Sequence, residues 1–109
     1  MAMQHDYAST APTRAEIDAM PGAVVIEFGT AWCSHCNNAQ PLIAAAFDAH
    51  PGVRHLKIED GPGRRLGRSF HVKLWPTLVF LRDGLEVARV VRPTAGAVIR
   101  EAMKALGPV

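Results

Sequence analysis

The sequence predicts an α/β fold in which a central mixed β-sheet is flanked by helices on both faces. Three patterns lead to that expectation. Ala23 to Phe28 is a near-continuous apolar run, as in a strand covered on both sides. Two further apolar runs flank Arg82-Asp83-Gly84, and Asp-Gly between such runs is a strong hairpin signal. Segments with helical apolar spacing precede, separate and follow these strands, the alternation that lays helices over a sheet.

In chain order, residues 1–12 are expected to be a flexible lead or, within Asp6 to Thr10, a short first strand. Thr13 to Met20 reads as a short helix, with Thr13 as its N-cap, Glu16 completing a capping box, and Ile17 and Met20 as an apolar pair. Pro21-Gly22 ends it. Within the strand at Ala23 to Phe28, Glu27 is the odd residue. From Cys33 onward the pattern is helical, with Leu42, Ile43, Ala46 and Phe47 as its apolar stripe and Pro41 where a kink is expected. Val53 to Ile58 alternates as a second strand, and Gly61 to Gly67 is turn-rich with room for a helical turn or two. Thr77 to Leu81 and Leu85 to Val91 are the antiparallel strands of the hairpin. Thr94 to Leu106 closes the chain as an amphipathic helix, with Val98, Ile99, Met103 and Leu106 on one face, stopped by Gly107-Pro108.

A chain of 109 residues fits a single domain. With 49% hydrophobic and 20% charged residues, its composition is that of a folded protein rather than a disordered one. The net charge is only +2, and Arg64, Arg65 and Arg68 are interleaved with Gly61, Gly63 and Gly67 instead of aromatic stacking partners. That cluster reads as a solvated turn, so nucleic acid is not an expected partner. Met1 to Thr10 contains His5 and Asp6 and lacks the apolar core of a secretory signal, and no stretch approaches membrane-spanning length. The expectation is a soluble, cytoplasmic monomer with no membrane partner. In a reducing compartment, two cysteines suit catalysis, redox sensing or metal binding better than a structural staple.

Cys33-Ser34-His35-Cys36 holds the only two cysteines, at a spacing that lets them close a disulfide on themselves. In such a sheet, sites are built in the turn after a strand's carboxyl end, and Cys33 lies in that turn at the start of the next helix. Unpaired N–H groups and the positive end of the helix dipole favour a thiolate there. Cys33 is therefore expected to be the exposed nucleophile, and Cys36, one turn further in, the buried resolving thiol. His35 between them would further stabilise the Cys33 thiolate and make the disulfide a stronger oxidant. Glu27 is an acid in a covered strand, where burial would raise its pKa toward the range useful for proton transfer. Trp32 and Trp75 are expected to border the disulfide as an apolar docking face for polypeptide.

Trp32-Cys33-Ser34-His35-Cys36, the strand ending Glu27-Phe28 before it, Pro41 five residues after the second cysteine, Trp75-Pro76-Thr77 ahead of a strand, and Asp83-Gly84 in a hairpin together resemble the thioredoxin family. The resemblance runs from roughly Thr13 to Leu106. It implies the thioredoxin fold and a protein disulfide oxidoreductase that works by dithiol exchange without a cofactor. Disulfide-containing client proteins would be its partners, with a thioredoxin reductase as the usual electron source. It also implies that Pro76 is a cis proline packed against the disulfide and offering backbone groups to an extended substrate. Glu27 stands six residues before Cys33, where the family usually has a buried aspartate, and so would be the proton acceptor for Cys36.

Several positions depart from the family pattern. Ser34-His35 replaces the usual Gly-Pro and looks more like disulfide isomerases and periplasmic oxidants. Gly29-Thr30-Ala31 replaces an aromatic-led segment, and Arg92-Pro93 stands where a glycine normally keeps the substrate surface open. His55 appears where a lysine often sets the acid's pKa, and Trp75 replaces a small aliphatic residue before Pro76. Rival readings are thus an isomerase or oxidant, or a non-catalytic redox-sensing module. A zinc site built from Cys33 and Cys36 with His35, His50, His55 or His71 is disfavoured, because structural zinc wants four ligands, commonly with a second close pair. No metal is expected. A c-type haem site fails because Asn37, not histidine, follows Cys36.

Overall fold

The computed structural model describes residues 6–108; Met1 to His5, part of the stretch read above for a secretory signal, and Val109 lie outside the described residues. Among the described residues, four strands, β1 (Ala23–Gly29), β2 (Arg54–Glu59), β3 (Thr77–Arg82) and β4 (Leu85–Val91), form one sheet in the order β2-β1-β3-β4. β1 runs parallel to β2 and antiparallel to β3, and β3 is antiparallel to β4, so the sheet is mixed. All seven residues of the central β1 are buried, as its unbroken apolar run requires.

The helices are α1 (Arg14–Asp18), α2 (Ser34–Asp48), α3 (Arg65–Ser69) and α4 (Gly96–Ala105). Side chains alternate along a strand, so β1 feeds two cores. Val24, Ile26 and Phe28 pack with Ile17 of α1 and with Leu66 and Phe70 at α3. Val25 packs on the other face with Ile43 and Phe47 of α2 and Ile99 and Met103 of α4. Glu27 has the parity of Val25 and so points under α2. Among the described residues, no helix is long and apolar enough to cross a membrane.

Several boundaries differ from expectation. The capping box of α1 is present, with Glu16 N–H donating to Thr13 Oγ1 at 3.1 Å and Thr13 N–H to Glu16 Oε1 at 2.9 Å, but the helix ends at Asp18 rather than Met20. β2 begins one residue later than expected, at Arg54, and the helical turn allowed for within Gly61 to Gly67 is α3, which starts at Arg65 and runs on to Ser69. α4 starts at Gly96 rather than Thr94, because Ala95 is extended (φ −142°, ψ 142°). Val98 is 47% exposed and off the buried face of α4; it sits one helical step aside from the stripe of Ile99, Ala102, Met103 and Leu106. Within Asp6 to Thr10, the stretch expected to hold a short first strand, the described residues make one parallel bridge, Ala8 to Ile58, and not a strand. Ala8 N–H donates to the Lys57 carbonyl at 2.8 Å and Glu59 N–H to the Ala8 carbonyl at 3.0 Å, after which Ser9, Thr10 and Ala11 are exposed and bury nothing that would extend the pairing.

The hairpin turn places both central residues at positive φ, Asp83 at 50° and Gly84 at 81°, which matches the twist of the flanking strands. Gly22 N–H donates to Asp83 Oδ1 at 2.7 Å and Asp83 N–H to the Gly22 carbonyl at 2.9 Å, tying the turn to the loop before β1. A Cβ on Gly84 would run into the Asp18 carbonyl at the end of α1. Gly84→Ala is therefore expected to cost about 1–3 kcal/mol in urea unfolding, from strain and contact together, while leaving thiol reactivity unchanged.

Candidate active site

β1 ends at Gly29, and Thr30-Ala31-Trp32 carries the chain over to α2, whose N-cap is Cys33 (φ −80°, ψ 120°). Cys33 Sγ accepts a hydrogen bond from the Cys36 N–H at 3.2 Å, one of the backbone donors that a helix start leaves without an internal partner. Both cysteines are free thiols. The expectation of an exposed nucleophile is corrected: Cys33 is only 8% exposed, against 0% for Cys36. It is nonetheless the more accessible of the two, and its cover is the Trp75-Pro76 segment, whose Trp75 carbonyl lies 4.0 Å from Sγ.

The Trp75–Pro76 peptide is cis, and Pro76 is buried. Trp75 is half-buried, so it belongs to the rim of the site rather than to the core. Its indole N–H donates to Asp60 Oδ2 at 2.8 Å, and its ring meets that of the 77% exposed Trp32 edge-on, 5.7 Å between centroids. Arg92, at φ 48°, donates its backbone N–H to the Pro76 carbonyl at 2.9 Å and its Nε–H to the Trp75 carbonyl at 2.8 Å. His35 is exposed in the first turn of α2.

Glu27 is fully buried beneath that turn. Its Oε2 accepts from the Tyr7 hydroxyl at 2.6 Å and from Gln40 Nε2 at 2.9 Å, and its Oε1 lies 2.9 Å from His55 Nε2. The His55 ring is itself stacked on Phe47, 4.2 Å between centroids. Gln40 is held from two sides, donating to the Cys36 carbonyl at 2.8 Å and accepting from Lys57 Nζ at 2.8 Å. Burial pushes the Glu27 carboxyl up, but the hydrogen bonds from His55, Tyr7 and Gln40 outweigh it and hold the group below its ordinary 4.5. The raised value expected from burial alone is therefore corrected.

The resolving thiol moves the other way. Burial, with its hydrogen bond to Cys33 adding to it, pushes Cys36 up to about 11, so this sulfur is protonated at neutral pH. A Cβ on Gly29 would lie 2.6 Å from both Cys36 Sγ and Tyr7 Oη. Only glycine at that position lets thiol and phenol share the space above it.

Sequence reasoning singled out Glu27, Trp32, Cys33, His35, Cys36, Trp75 and Pro76, and all of them except His35 have a contact or buried position described above. It missed Tyr7, Gln40 and Asp60. Gln40 was findable, since it stands one helical turn after Cys36. Tyr7 is 20 residues from Glu27 with no motif linking them, and its one trace is the glycine at position 29. Among the described residues, no group of three or more His, Cys, Asp or Glu side chains is placed to hold a metal ion. His50 is turned to the Ala46 carbonyl at 2.9 Å and His55 to Glu27.

Where the sheet delivers its dithiol decides the class: this is a thioredoxin-fold domain with a CxxC pair at a helix start. The family model described as Thioredoxin matches residues 3–105. The chain belongs to the thioredoxin family. It is similar to thioredoxin 2 from Pseudomonas aeruginosa PAO1, solved in its reduced form, with 60% identity, a TM-score of 0.86, and coverage of 95% of this chain and 96% of that one. It is 35% identical to thioredoxin H-type 1 from Nicotiana tabacum over 68 residues, 62% of this chain and 54% of that protein. Thioredoxin from Chlamydia trachomatis is 34% identical over 70 residues, 64% of this chain and 69% of that protein. The matched stretch spans about half the length of the plant relatives, 54% and, for an H-type thioredoxin of Oryza sativa, 56%.

Because the folded value of Glu27 lies below 4.5, its contribution to stability is complete above that pH and is lost as the pH falls through the folded value. Urea unfolding across a pH series is expected to show the stability difference between wild type and Glu27→Gln shifting against wild type below pH 4.5. A difference that stays constant through the acid limb would contradict the assignment.

Proposed function

We propose that this chain is a thiol-disulfide oxidoreductase that reduces protein disulfides by dithiol exchange, with Cys33 as nucleophile and Cys36 as resolving thiol. One observation supports this above the others: Cys33 Sγ caps α2 and accepts the Cys36 N–H, while the Cys36 thiol is wholly buried one turn behind it. Cys33 attacks one sulfur of a client disulfide, joins it as a mixed disulfide and releases the first client thiolate. Cys36 then loses its proton toward Glu27 and attacks Cys33 Sγ. The protein disulfide forms, the mixed disulfide breaks, and the second client thiolate departs.

Clients are extended polypeptides that dock on Trp32, Trp75 and Pro76. In this structure the Trp75 carbonyl is already taken by Arg92. A thioredoxin reductase resets the dithiol, and the protein works as a cytoplasmic monomer. The exposed His35 in the first turn of α2, between the two cysteines, favours one second reading, an isomerase or oxidant whose couple is tuned upward by the imidazole beside the Cys33 thiolate.

Insulin reduction with added dithiol reductant is expected to show many turnovers per protein; a single stoichiometric reaction would instead indicate a sensor. A reducing potential for the Cys33–Cys36 couple supports the reductase, and an oxidising one the second reading. Cys36→Ser is expected to trap mixed disulfides with clients and Cys33→Ser is not; equal trapping by both contradicts the assigned roles. Arg92→Gly keeps the backbone bond to Pro76, frees the Trp75 carbonyl and relieves a positive φ. It is expected to raise kcat/KM on protein disulfides severalfold and to stabilise the fold by roughly 1 kcal/mol in urea unfolding.

A further inference from the structure

We propose that Tyr7 is the proton relay between Cys36 and Glu27 in the resolving step, a role that rests on the dithiol-exchange reading above. Cys36 has to lose a proton before it can attack, yet the carboxylate beneath it is reached through a phenol. Tyr7 Oη donates to Glu27 Oε2 at 2.6 Å, and the same oxygen shares with Cys36 Sγ the space over Gly29, each 2.6 Å from where a Cβ would stand. The two atoms flank the same spot, and with its own proton given to Glu27 the phenol oxygen presents a lone pair toward the Cys36 S–H.

Tyr7 is held for this task from several directions. Its backbone neighbour Ala8 is bridged to β2, and Lys57 Nζ sits 4.5 Å above its ring. The pair also makes sense of one departure from the family pattern. Where thioredoxins carry an aromatic-led segment on the strand itself, this chain has Gly29 and brings an aromatic ring in from the amino-terminal segment.

The step balances as follows. With the client held on Cys33 as a mixed disulfide, the Cys36 S–H proton passes to Tyr7 Oη as the Tyr7 proton passes to Glu27 Oε2. The Cys36–Cys33 bond forms, the Cys33–client bond breaks, and the client sulfur leaves with the electron pair. The client is reduced, the dithiol is oxidised, and Glu27 holds the proton until an external dithiol reduces the pair again. Other ionisable groups around the phenol are Asp6, Lys57 and Glu59, which line a groove of about 650 Å³ with it, and His55 on the far oxygen of Glu27.

The test is a single turnover with the chromogenic disulfide dithionitrobenzoate, which separates the two thiols. A first, concentration-dependent burst of aryl thiolate reports attack by Cys33, and a second, unimolecular burst reports resolution by Cys36. Tyr7→Phe keeps the ring under Lys57 and removes the hydroxyl. It is expected to slow the second burst by about tenfold or more and to move its pH profile upward, with the first burst as internal reference. Tyr7 is the only tyrosine, so growth on a fluorinated tyrosine replaces this phenol alone with a more acidic one of the same shape. That protein is expected to shift the profile downward, and it decides the matter if Tyr7→Phe does not fold. Profiles that coincide with wild type in the folded variants, or equal slowing of both bursts, overturn the relay. Neither result depends on insulin turnover, whose failure would instead remove the reductase reading.

Discussion

A carboxylate taken out of water is costly unless its lone pairs are occupied, and Glu27 meets that demand with donors from three separate parts of the chain. Tyr7 comes from ahead of the sheet, Gln40 from α2 and His55 from β2. Their convergence constrains the surrounding fold. It fixes which face of β2 looks at α2, since Val25 pairs with His55 and Glu27 with Lys57. It also fixes the rotation of α2, because Gln40 must reach the acid with its side chain while bonding the Cys36 carbonyl. The helix that presents the dithiol is thus anchored to the charge beneath it.

From that anchoring follows the inequality of the two sulfurs. Nothing in their covalent chemistry distinguishes Cys33 from Cys36; position on one helix does. The N-cap sulfur receives a backbone N–H, whereas the sulfur one turn further in is sealed from solvent and keeps its proton at neutral pH. A pair with such opposed surroundings has a built-in order of reaction, since the deeper thiol is of use only after its partner has captured something and a base has been found for it.

Local rules made much of this legible in advance. The capping box at Thr13 and Glu16, the Asp83-Gly84 hairpin, the doubly covered β1 and the CxxC at a strand-to-helix turn all depend on neighbours in sequence, and the structure has each of them. Readings that depend on distant neighbours fared worse. Adjacent apolar residues reveal the burial of Glu27 but not the direction of its shift, because the compensating donors lie 20, 13 and 28 residues away. The turn that carries Cys33 is open when considered alone; the Trp75-Pro76 segment that covers it arrives from 42 residues on. Val98 failed for a simpler reason, that an apolar residue beside a helical stripe is easily counted into it.

The bridge at Ala8 carries a consequence beyond packing. Among the described residues, two backbone hydrogen bonds join that stretch to β2 and Arg64 Nη1 donates to the Ser9 carbonyl beside it; local attachments of this kind open at a lower free energy than the sheet they rest on. An opening of that attachment would draw the phenol from the acid and leave the dithiol helix packed on the sheet. A ligand or neighbouring chain that gripped the leading segment could thereby slow or hasten sulfur chemistry without touching either sulfur, and natural variation there could retune the protein while its signature motif stayed unchanged.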